Sequence, residues 1–397
     1  MLVPLSYTLR SLFVRRSATL LTIVGVGATV AVLAGVLALR AGFTTLFAQN
    51  GREDVAVFLR DGATSEGESG LTRETCDRLI KTLPQIARGD GPEGAPLGAM
   101  ECYLAVRRPK ADGSGETNVP FRGIERASIA LRGDEFRIAE GRSLEFGADE
   151  VIVGRKLKNR IADCQLGDVV QVNTVPFKVV GIFECDGPFE SEIWGDFERI
   201  SVALQRPVAS RVVALLAPGA TGDGFAAFAT MLKEGADYKD LKVVVKTERA
   251  YLTDLTNAVG TVLLALSVGL SVIMGIAAVF TATNTMLSAV ASRTHEIGIL
   301  LSIGFRPLPV FLSFVLEALL LGLVGGVVGC LLALPINGIE TGTTNWATFT
   351  EVAFAFRVTP GVMASALQFS LLLGLLGGAI PAWKAARLAP TVALRRR

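Results

Sequence analysis

Four long apolar stretches divide the chain into a membrane part and a soluble part. The first spans 18–40, and three more follow at 256–292, 307–336 and 359–383. A helix needs about 20 apolar residues to cross a bilayer, and no residue from Asn257 to Ser292 is charged. We therefore predict four transmembrane helices, arranged as one helix, a large insertion and three further helices.

The segment 1–17 is basic, with Arg10, Arg15 and Arg16, and it precedes the first apolar run. Secretory signal peptides have the same order of features. This run is longer than their apolar core, and no Ala-x-Ala cleavage site stands at its end. We predict an uncleaved membrane helix, with a signal peptide as the alternative.

The insertion at 41–255 alternates between the two-residue period of strands and the longer period of helices, which predicts an α+β domain. Its outer segments, about 50–110 and 208–250, have the strand–helix–strand order of one layered unit. The stretch 118–205 predicts a smaller, β-rich inner module. The predicted strands lie at 54–60, 99–107, 150–154, 169–173, 177–183, 210–217 and 241–247, the helices at 71–83 and 224–232, and a helical turn at 156–162.

Charge is distributed unequally between the two parts. Residues 41–255 carry a net charge of −6, and the rest of the chain carries +8. Basic residues collect at 1–17, in a short elbow at 293–306 and in the tail at 384–397. The loop at 337–358 is predicted to lie on the other side of the membrane, together with the insertion. The positive-inside rule then predicts that both termini are cytoplasmic and that the insertion is extracytoplasmic. The chain is expected to be a multi-pass protein of the cell inner membrane.

Several function classes are disfavoured by what the sequence lacks. No Gly-Lys pair occurs, so the chain has no P-loop of the usual kind. A single histidine excludes a His-rich metal site and most catalytic triads. Basic residues are not clustered with aromatic ones, which argues against nucleic-acid binding. We expect no metal, cofactor or active site on this chain.

Four of the five cysteines lie in the insertion, where disulfides persist if the domain is extracytoplasmic. The two strands of the hairpin at 169–183 are predicted to pair in a register whose residue numbers sum to about 350. That register would bring Cys164 opposite Cys185, and we predict a disulfide between them. Cys76 and Cys102 are a second candidate pair.

Two residues of the third apolar run differ from their surroundings. Cys330 fits as a small apolar filler. Glu317 is a carboxylate within an apolar segment, where charge is costly. It is either a functional group or a residue near the cytoplasmic end that bonds a neighbouring helix.

Small residues suit close helix packing, and those in the last two runs are Gly322, Gly325, Gly326, Gly329, Gly374, Gly377 and Gly378.

Three motifs lie in the membrane part. The first runs Asn284-x-Met-Leu-x-Ala-Val-x-x-Arg-Thr-His-Glu-Ile-Gly-Ile-Leu-x-x-Ile-Gly304, and the second is Glu317-Ala-x-x-Leu-Gly-x-x-Gly-Gly326. The third is Gly374-Leu-Leu-Gly-Gly-Ala-Ile-Pro-Ala-x-Lys-Ala-Ala-Arg-x-x-Pro390. Together with the order of helices and insertion, these motifs resemble the signature of FtsX/MacB-type ABC transporter permeases over the whole chain.

The resemblance implies a permease subunit of the mechanotransmission class, MacB-like or lipoprotein-release-like. Such a subunit works as a homodimer or as a heterodimer with a second permease. It docks on a cytoplasmic P-loop ATPase, a separate chain that binds ATP and Mg²⁺. ATP-driven closure moves the outer domain, which exports or extracts a lipoprotein, lipid, peptide or drug. A periplasmic adaptor or an outer-membrane partner also fits this class.

The elbow at 293–306 matches the coupling helix of the family. His295 and Leu301 stand where the family often has arginine. The residues that the resemblance assigns to ATPase coupling are Arg293, His295, Glu296, Gly298 and Gly304. The alternative function is a membrane-anchored binding or sensory protein without an ATPase. A membrane enzyme is disfavoured because the sequence shows no ionisable cluster.

Overall fold

The computed structural model describes residues 16–48, 51–89, 94–304, 306–345 and 350–388. The chain divides into two compact units. The membrane unit comprises Met1–Gly42, Val262–Ile339 and Ala355–Arg397, and the soluble unit comprises Phe43–Thr261 and Glu340–Phe354.

The helices are α1 (Arg16–Ala48), α2 (Arg73–Thr82), α3 (Arg126–Arg132), α4 (Phe197–Ala203), α5 (Asp223–Glu234), α6 (Glu248–Ser292), α7 (Thr294–Ser302), α8 (Pro307–Ala333) and α9 (Pro360–Ala386). The strands are β1 (Val55–Arg60), β2 (Gly98–Pro109), β3 (Glu116–Ile124), β4 (Phe136–Gly141), β5 (Glu150–Gly154), β6 (Val169–Val172), β7 (Val175–Cys185), β8 (Ile193–Asp196), β9 (Arg211–Leu215), β10 (Val243–Thr247), β11 (Glu340–Asn345) and β12 (Thr350–Ala355).

Within the described residues, four helices are long and apolar enough to cross a membrane. Their spans are Thr19–Thr45, Gly260–Ser292, Pro307–Ile336 and Pro360–Ala386. A mixed α+β domain follows the first of them. The predicted fold class, with one helix before the insertion and three after it, is confirmed.

The described part of the soluble unit is built on a ten-stranded sheet with the order β10-β1-β9-β2-β3-β8-β5-β7-β4, and β6 pairs with β7. Strands β10, β1, β9 and the start of β2 are antiparallel to their neighbours. Helix α2 connects β1 to β2, and α5 connects β9 to β10. Each helix therefore joins two parallel strands that are separated by a third, which is a split βαβ arrangement. This explains the strand–helix–strand pattern of the outer segments.

Strand β2 continues from the outer part of the sheet into the inner module. Gly98–Glu101 pairs with β9, and Cys102–Pro109 pairs with β3. The inner strands are mixed in direction, because β3 is parallel to β8 and β5 is parallel to β7. The two modules inferred from the sequence thus meet within one long strand.

Successive side chains of each strand point to opposite faces of the sheet, and a buried layer lies on each face. Met100 and Cys102 of β2 point into the main core, which lies on the face covered by α2, α4 and α5. Glu101, between them, points to the opposite face. In the inner module that face carries a second apolar cluster around Phe183 and Trp194, whose ring centroids are 4.5 Å apart.

Local patterns missed several elements of the soluble unit. Strands β3, β4 and β8 and helices α3 and α4 were not predicted. Residues 156–162 form successive turns and no helix. The stretch 337–358, predicted as a loop, contains the hairpin of β11 and β12. Helix α6 begins at Glu248, eight residues before the predicted start of the second membrane segment.

The helices of the membrane unit approach one another through glycines. A Cβ atom added to Gly322 would lie 2.7 Å from the backbone oxygen of Ser370, and one added to Gly374 would lie 2.6 Å from that of Ala318. A Cβ added to Gly329 would lie 2.6 Å from the backbone oxygen of Gly27 in α1. Any larger residue at these positions would force the helices apart.

The remaining predicted packing glycines also lie at helix contacts. A Cβ on Gly325 would meet Val26 at 2.8 Å, and one on Gly377 would meet Ala282 at 2.6 Å. Cβ atoms on the other two, Gly326 and Gly378, would clash with Ser370 and Ala318.

Candidate functional site

The predicted coupling elbow is a short helix between two membrane helices. Helix α7 begins after Arg293, its N-cap residue, and the chain turns at Gly304, where φ is +101°. Glycine adopts this left-handed conformation without strain. Ile297 is 3% exposed and belongs to an apolar cluster with Phe314 of α8. One face of α7 is therefore packed against the membrane helices.

The opposite face of α7 is open to solvent. His295 and Glu296 are exposed, whereas Gly298 is buried. Glu296 lies in the first turn of the helix, where the helix dipole favours a carboxylate. Of the residues assigned to coupling, His295, Glu296 and Gly304 are thus the exposed ones.

Arg293 points the other way. Its Nη1 atom lies 3.6 Å from Oε2 of Glu317 in α8, and the two side chains are 13% and 8% exposed. Glu317 therefore has the neighbouring-helix partner that the sequence left as one alternative.

A second polar site, which the sequence analysis missed, lies inside the soluble unit. The members of this charged cluster are Glu66, Glu101, Arg122, Glu192 and Arg211. Their side chains are at most 6% exposed.

Arg122 is the centre of the charged cluster. Its Nε donates to Glu192 at 2.6 Å, and its Nη1 donates to Glu66 at 2.5 Å and to Glu101 at 3.0 Å. Arg211 donates to Glu101 and to Glu66, both at 2.8 Å. Every carboxylate in the cluster has a guanidinium partner, which burial of charge requires.

The electrostatics of the cluster keep Glu101 and Arg122 ionised. Burial by itself raises the pKa of Glu101, but Arg211 and Arg122 outweigh it and lower the pKa to about 2. Burial likewise opposes the charge of Arg122, yet Glu192 and Glu66 hold its pKa well above the usual value. One feature of the sequence could have indicated this cluster. It is a charged residue between two apolar residues of a strand, as at Met100-Glu-Cys102.

The predicted disulfide is contradicted by the structure. Cys164 and Cys185 are free thiols in separate apolar clusters. The hairpin turns at Asn173, where φ is +50°, and Val172 pairs with Val175, so the residue numbers sum to 347. Cys185 instead pairs with Phe136 of β4.

The other cysteines are also free thiols. Cys76 and Cys102 share the main core without a bond, and Cys330 is buried in α8. Burial raises the pKa of Cys76, Cys102, Cys164 and Cys185 to about 12. These four thiols are therefore protonated and inert at neutral pH.

Across the described residues, no group of three or more His, Cys, Asp or Glu side chains is arranged to hold a metal ion. The soluble unit contains an open polar cavity of about 450 Å³. Its lining includes Lys110 and Arg160 beside Asp112 and Glu340. This mixture of charges specifies no class of ligand.

Two family models match the chain. Residues 268–390 match the FtsX-like permease C-terminal model, and residues 19–231 match the MacB-like periplasmic core domain. The second match alone covers more than half of the chain.

Curated relatives are longer than this chain. The pyoverdine export ATP-binding/permease protein PvdT of Pseudomonas fluorescens (strain Pf0-1) is 27% identical over 400 residues, which is 97% of this chain and 58% of that protein. The macrolide export ATP-binding/permease protein MacB of Escherichia coli is 26% identical over 296 residues, 71% of this chain and 43% of that protein. The chain thus spans about half the length of these relatives.

Among solved structures, the periplasmic region of MacB from Actinobacillus actinomycetemcomitans is similar to 53% of this chain. The match covers 95% of that structure, with a TM-score of 0.37 and 12% sequence identity.

Proposed function

Because the chain belongs to the FtsX/MacB-type permeases of ABC transporters, we propose that it couples ATP hydrolysis by a cytoplasmic ATPase to movement of its soluble domain. This movement drives export or extraction of a substrate. The ATPase is a P-loop protein on a partner chain, and it holds the ATP and Mg²⁺. The permease acts as a dimer, either with itself or with a second permease.

The observation that carries this proposal is helix α6. It runs without interruption for 45 residues, from Glu248 beside strand β10 to Ser292 beside the elbow. At 1.5 Å per residue its length is roughly 68 Å, more than twice the hydrocarbon thickness of a bilayer. The sequence of α6 contains no proline that would kink it. The elbow and strand β10 are therefore joined in the chain by one helical segment.

The elbow supplies a surface for an ATPase. Packing of Ile297 fixes α7 on the membrane helices, while His295 and Glu296 remain exposed. A carboxylate there suits a basic group on a partner, because charge-assisted hydrogen bonds are strong.

The charge distribution supports the orientation of the chain. With the elbow and both termini in the cytoplasm, the soluble domain lies on the periplasmic side. The named relatives export pyoverdine and macrolides, which favours a compound of that kind as substrate over a lipoprotein. A periplasmic adaptor or outer-membrane channel would complete such an export path.

The orientation is tested by labelling single cysteines in intact cells with a membrane-impermeant thiol reagent, after the native cysteines are replaced. A cysteine at Gly113, in an exposed turn of the soluble unit, should react. One at Ile303, in the elbow, should not. The reverse pattern would contradict the proposed direction of transport.

Coupling is tested with Glu296→Lys. If the ATPase contact is desolvated, reversing this charge costs about 2–5 kcal/mol of binding energy. The affinity for the ATPase should then fall at least about 30-fold, and transport-linked ATP hydrolysis should fall with it. Binding is measured with the purified partner and the permease in nanodiscs.

Glu340→Lys is the matched control, because Glu340 is an exposed carboxylate of the soluble unit. It should leave ATPase binding unchanged. Wild-type affinity in the Glu296 variant would show that the elbow is not the docking element. Failure of any P-loop ATPase to bind the wild-type chain would favour the sensory alternative.

A further inference from the structure

The last turn of helix α9 presents a tryptophan and two basic residues on one side. We call Trp383, Lys384 and Arg387 the basic face of α9. Trp383 is 52% exposed, and both basic side chains are exposed as well. Ala385, which lies between them in sequence, is fully buried in the apolar cluster that includes Phe314 of α8. The basic face therefore lies on the side of α9 that is turned away from α8.

An exposed apolar stripe leads along α9 to the basic face. Its members are Leu372, Leu376 and Ile380. At 3.6 residues per turn, the stripe and the basic face together occupy about one third of the helix circumference. No residue from 360 to 383 is charged, so Lys384 is the first charged residue of this helix. One surface thus offers apolar length followed by positive charge, which is complementary to the acyl chains and phosphate of an anionic phospholipid.

The length of α9 places the basic face at the depth of lipid headgroups. The helix has 27 residues, which corresponds to about 40 Å at 1.5 Å per residue. The hydrocarbon core of a bilayer is roughly 30 Å thick, and the bilayer with its headgroups is about 40–45 Å thick. When α9 spans a membrane, its last turn therefore lies beyond the hydrocarbon, in the layer that contains the phosphates.

Arg387 is held in position by Trp383. The guanidinium lies 4.3 Å from the centroid of the indole ring, and residues four apart lie on the same side of a helix. A cation and an aromatic ring attract each other at this distance. Stacking uses the flat face of the guanidinium and leaves its N–H edge available. That edge matches two oxygens of one phosphate group.

No carboxylate competes for the two cations. The sequence has no acidic residue from 352 to 397. Within the described residues, neither Lys384 nor Arg387 forms an ion pair with Asp or Glu. The carbonyl groups at the end of a helix carry partial negative charge, which favours cations and repels anions. Binding of an anion here therefore depends on these two side chains and not on the backbone.

We propose that the basic face of α9 binds the phosphate of an anionic phospholipid headgroup. Arg387 donates to two phosphate oxygens, and Lys384 supplies a second positive charge. Trp383 orients Arg387, and the apolar stripe contacts the acyl chains of the same lipid. The proposal requires that α9 spans a membrane, but it requires no ATP-driven movement, so it stands or falls separately from the coupling proposed above.

The test uses quenching of Trp383 fluorescence in the full-length chain, reconstituted in phosphatidylcholine bilayers. The chain has three tryptophans. Trp346, which lies outside the described residues, is replaced by Trp346→Phe. Trp194 is 1% exposed within the soluble unit, and a sample with Trp383→Phe measures its background. Brominated phosphatidylglycerol or brominated phosphatidylcholine is then added at equal mole fraction, and the ratio of their quenching gives the relative affinity for the anionic lipid.

The variants are Arg387→Gln and Lys384→Gln, both at exposed positions. The matched control is Arg306→Gln, because Arg306 is also exposed and precedes α8 at the end of that helix that packs near the end of α9. A basic residue near an anionic surface contributes an attraction that corresponds to about a fivefold change in affinity. Arg387→Lys keeps the charge but lacks the planar edge, and it should retain part of the preference.

We expect the wild type to be quenched more strongly by brominated phosphatidylglycerol than by brominated phosphatidylcholine. Arg387→Gln and Lys384→Gln should each lower that preference about fivefold, and Arg306→Gln should leave it unchanged. Inorganic phosphate should have no more effect than sodium chloride at equal ionic strength.

Four results would overturn the proposal. Equal quenching of the wild type by both lipids would show no preference for an anionic headgroup. An equal loss in Arg306→Gln would show a general attraction to charge and no site. Competition by inorganic phosphate would identify a free anion as the ligand. Absence of Trp383 quenching by either lipid would show that a second copy or a partner protein covers the basic face.

Discussion

The soluble unit and the membrane unit solve the packing of their interiors in opposite ways. The soluble unit buries charge, and Arg122 and Glu101 are each 2% exposed within an apolar sheet. The membrane unit packs its helices at glycines, since Gly322 and Gly374 have no side chain and bring the helix backbones into contact. Lipid offers no hydrophobic gain for helix association, so close backbone approach takes its place.

This contrast identifies what each unit tolerates least. A buried ion pair gives little net stability compared with an apolar replacement, but removal of one partner strands a charge. A helix contact at glycine contains no charge, and it is disrupted when a larger side chain replaces the glycine. The soluble unit should therefore be sensitive to loss of a group, and the membrane unit to gain of one.

The largest effect is expected for Arg122→Met. This change leaves Glu66, Glu101 and Glu192 with Arg211 as the remaining guanidinium of the cluster. Breaking a buried ion pair from one side costs about 3–5 kcal/mol. The loss should appear as reduced hydrogen-exchange protection in β2 and β3.

Arg78→Met is the control for Arg122→Met, since Arg78 bonds Asp240 on the surface. Its effect on the exchange of the same strands should be undetectable. Equal effects of the two substitutions would mean that burial of the charged cluster does not matter.

The next effect depends on pH. The pKa of Glu101 in the folded protein is about 2, below its ordinary value of 4.5. Because the folded pKa is depressed, the stability that the carboxylate contributes is fully present above pH 4.5. It is lost as the pH falls towards 2, and its full size is roughly 3 kcal/mol.

Thermal unfolding of the wild type and Glu101→Gln, measured from pH 7 to pH 3, tests this expectation. The wild type should be more stable than Glu101→Gln at pH 7. The difference in melting temperature between the two proteins should decrease below pH 4.5. Parallel curves would show that Glu101 does not hold its charge in the folded protein.

A smaller effect is expected for Gly374→Val in the membrane unit. Its side chain would press on the backbone of α8 at Ala318, and overpacking typically costs about 1–3 kcal/mol. The melting temperature of the purified full-length protein should fall. Gly269→Val is the control, because a Cβ at Gly269 meets nothing within 4 Å. A larger fall in melting temperature for Gly269→Val than for Gly374→Val would contradict the close contact between Gly374 and Ala318.

The sequence predicted well those features that are local. Hydropathy over about 20 residues defines a membrane helix wherever the rest of the chain lies, and alternation identified strands such as β1 and β9. The charged cluster could not be predicted in this way, because Arg122 and Glu192 are 70 residues apart and Glu66 and Arg211 are 145 apart. Their pairing depends on the register and order of strands that local patterns do not encode.

The disulfide prediction was wrong for a similar reason, because it depended on the register of two paired strands. The left-handed conformation of Asn173 tightens the hairpin turn and shifts the register by three residues. Since an odd shift exchanges the two faces of a strand, a small error in the turn was enough to misplace Cys185.

The smallest effect concerns Arg293 and Glu317, a charged pair within the unit that otherwise packs by small residues. Their separation of 3.6 Å exceeds a normal hydrogen bond, and both side chains are partly shielded from solvent. Polar contacts between membrane helices average about 0.6 kcal/mol. We expect a double-mutant cycle with Arg293→Gln and Glu317→Gln to give a coupling energy of about 0.5–1 kcal/mol, measured from melting temperatures.

His295→Gln is the control for this cycle, because His295 lies exposed on the same short helix, and it should be additive with Glu317→Gln. Additivity of Arg293→Gln with Glu317→Gln would mean that each charge reaches the headgroup layer independently. A coupling energy of several kcal/mol would mean that the membrane unit depends on a buried ion pair as the soluble unit does. The intermediate value follows from the geometry, because the two charged atoms are 3.6 Å apart, beyond hydrogen-bond distance, and the Arg293 side chain is still 13% exposed.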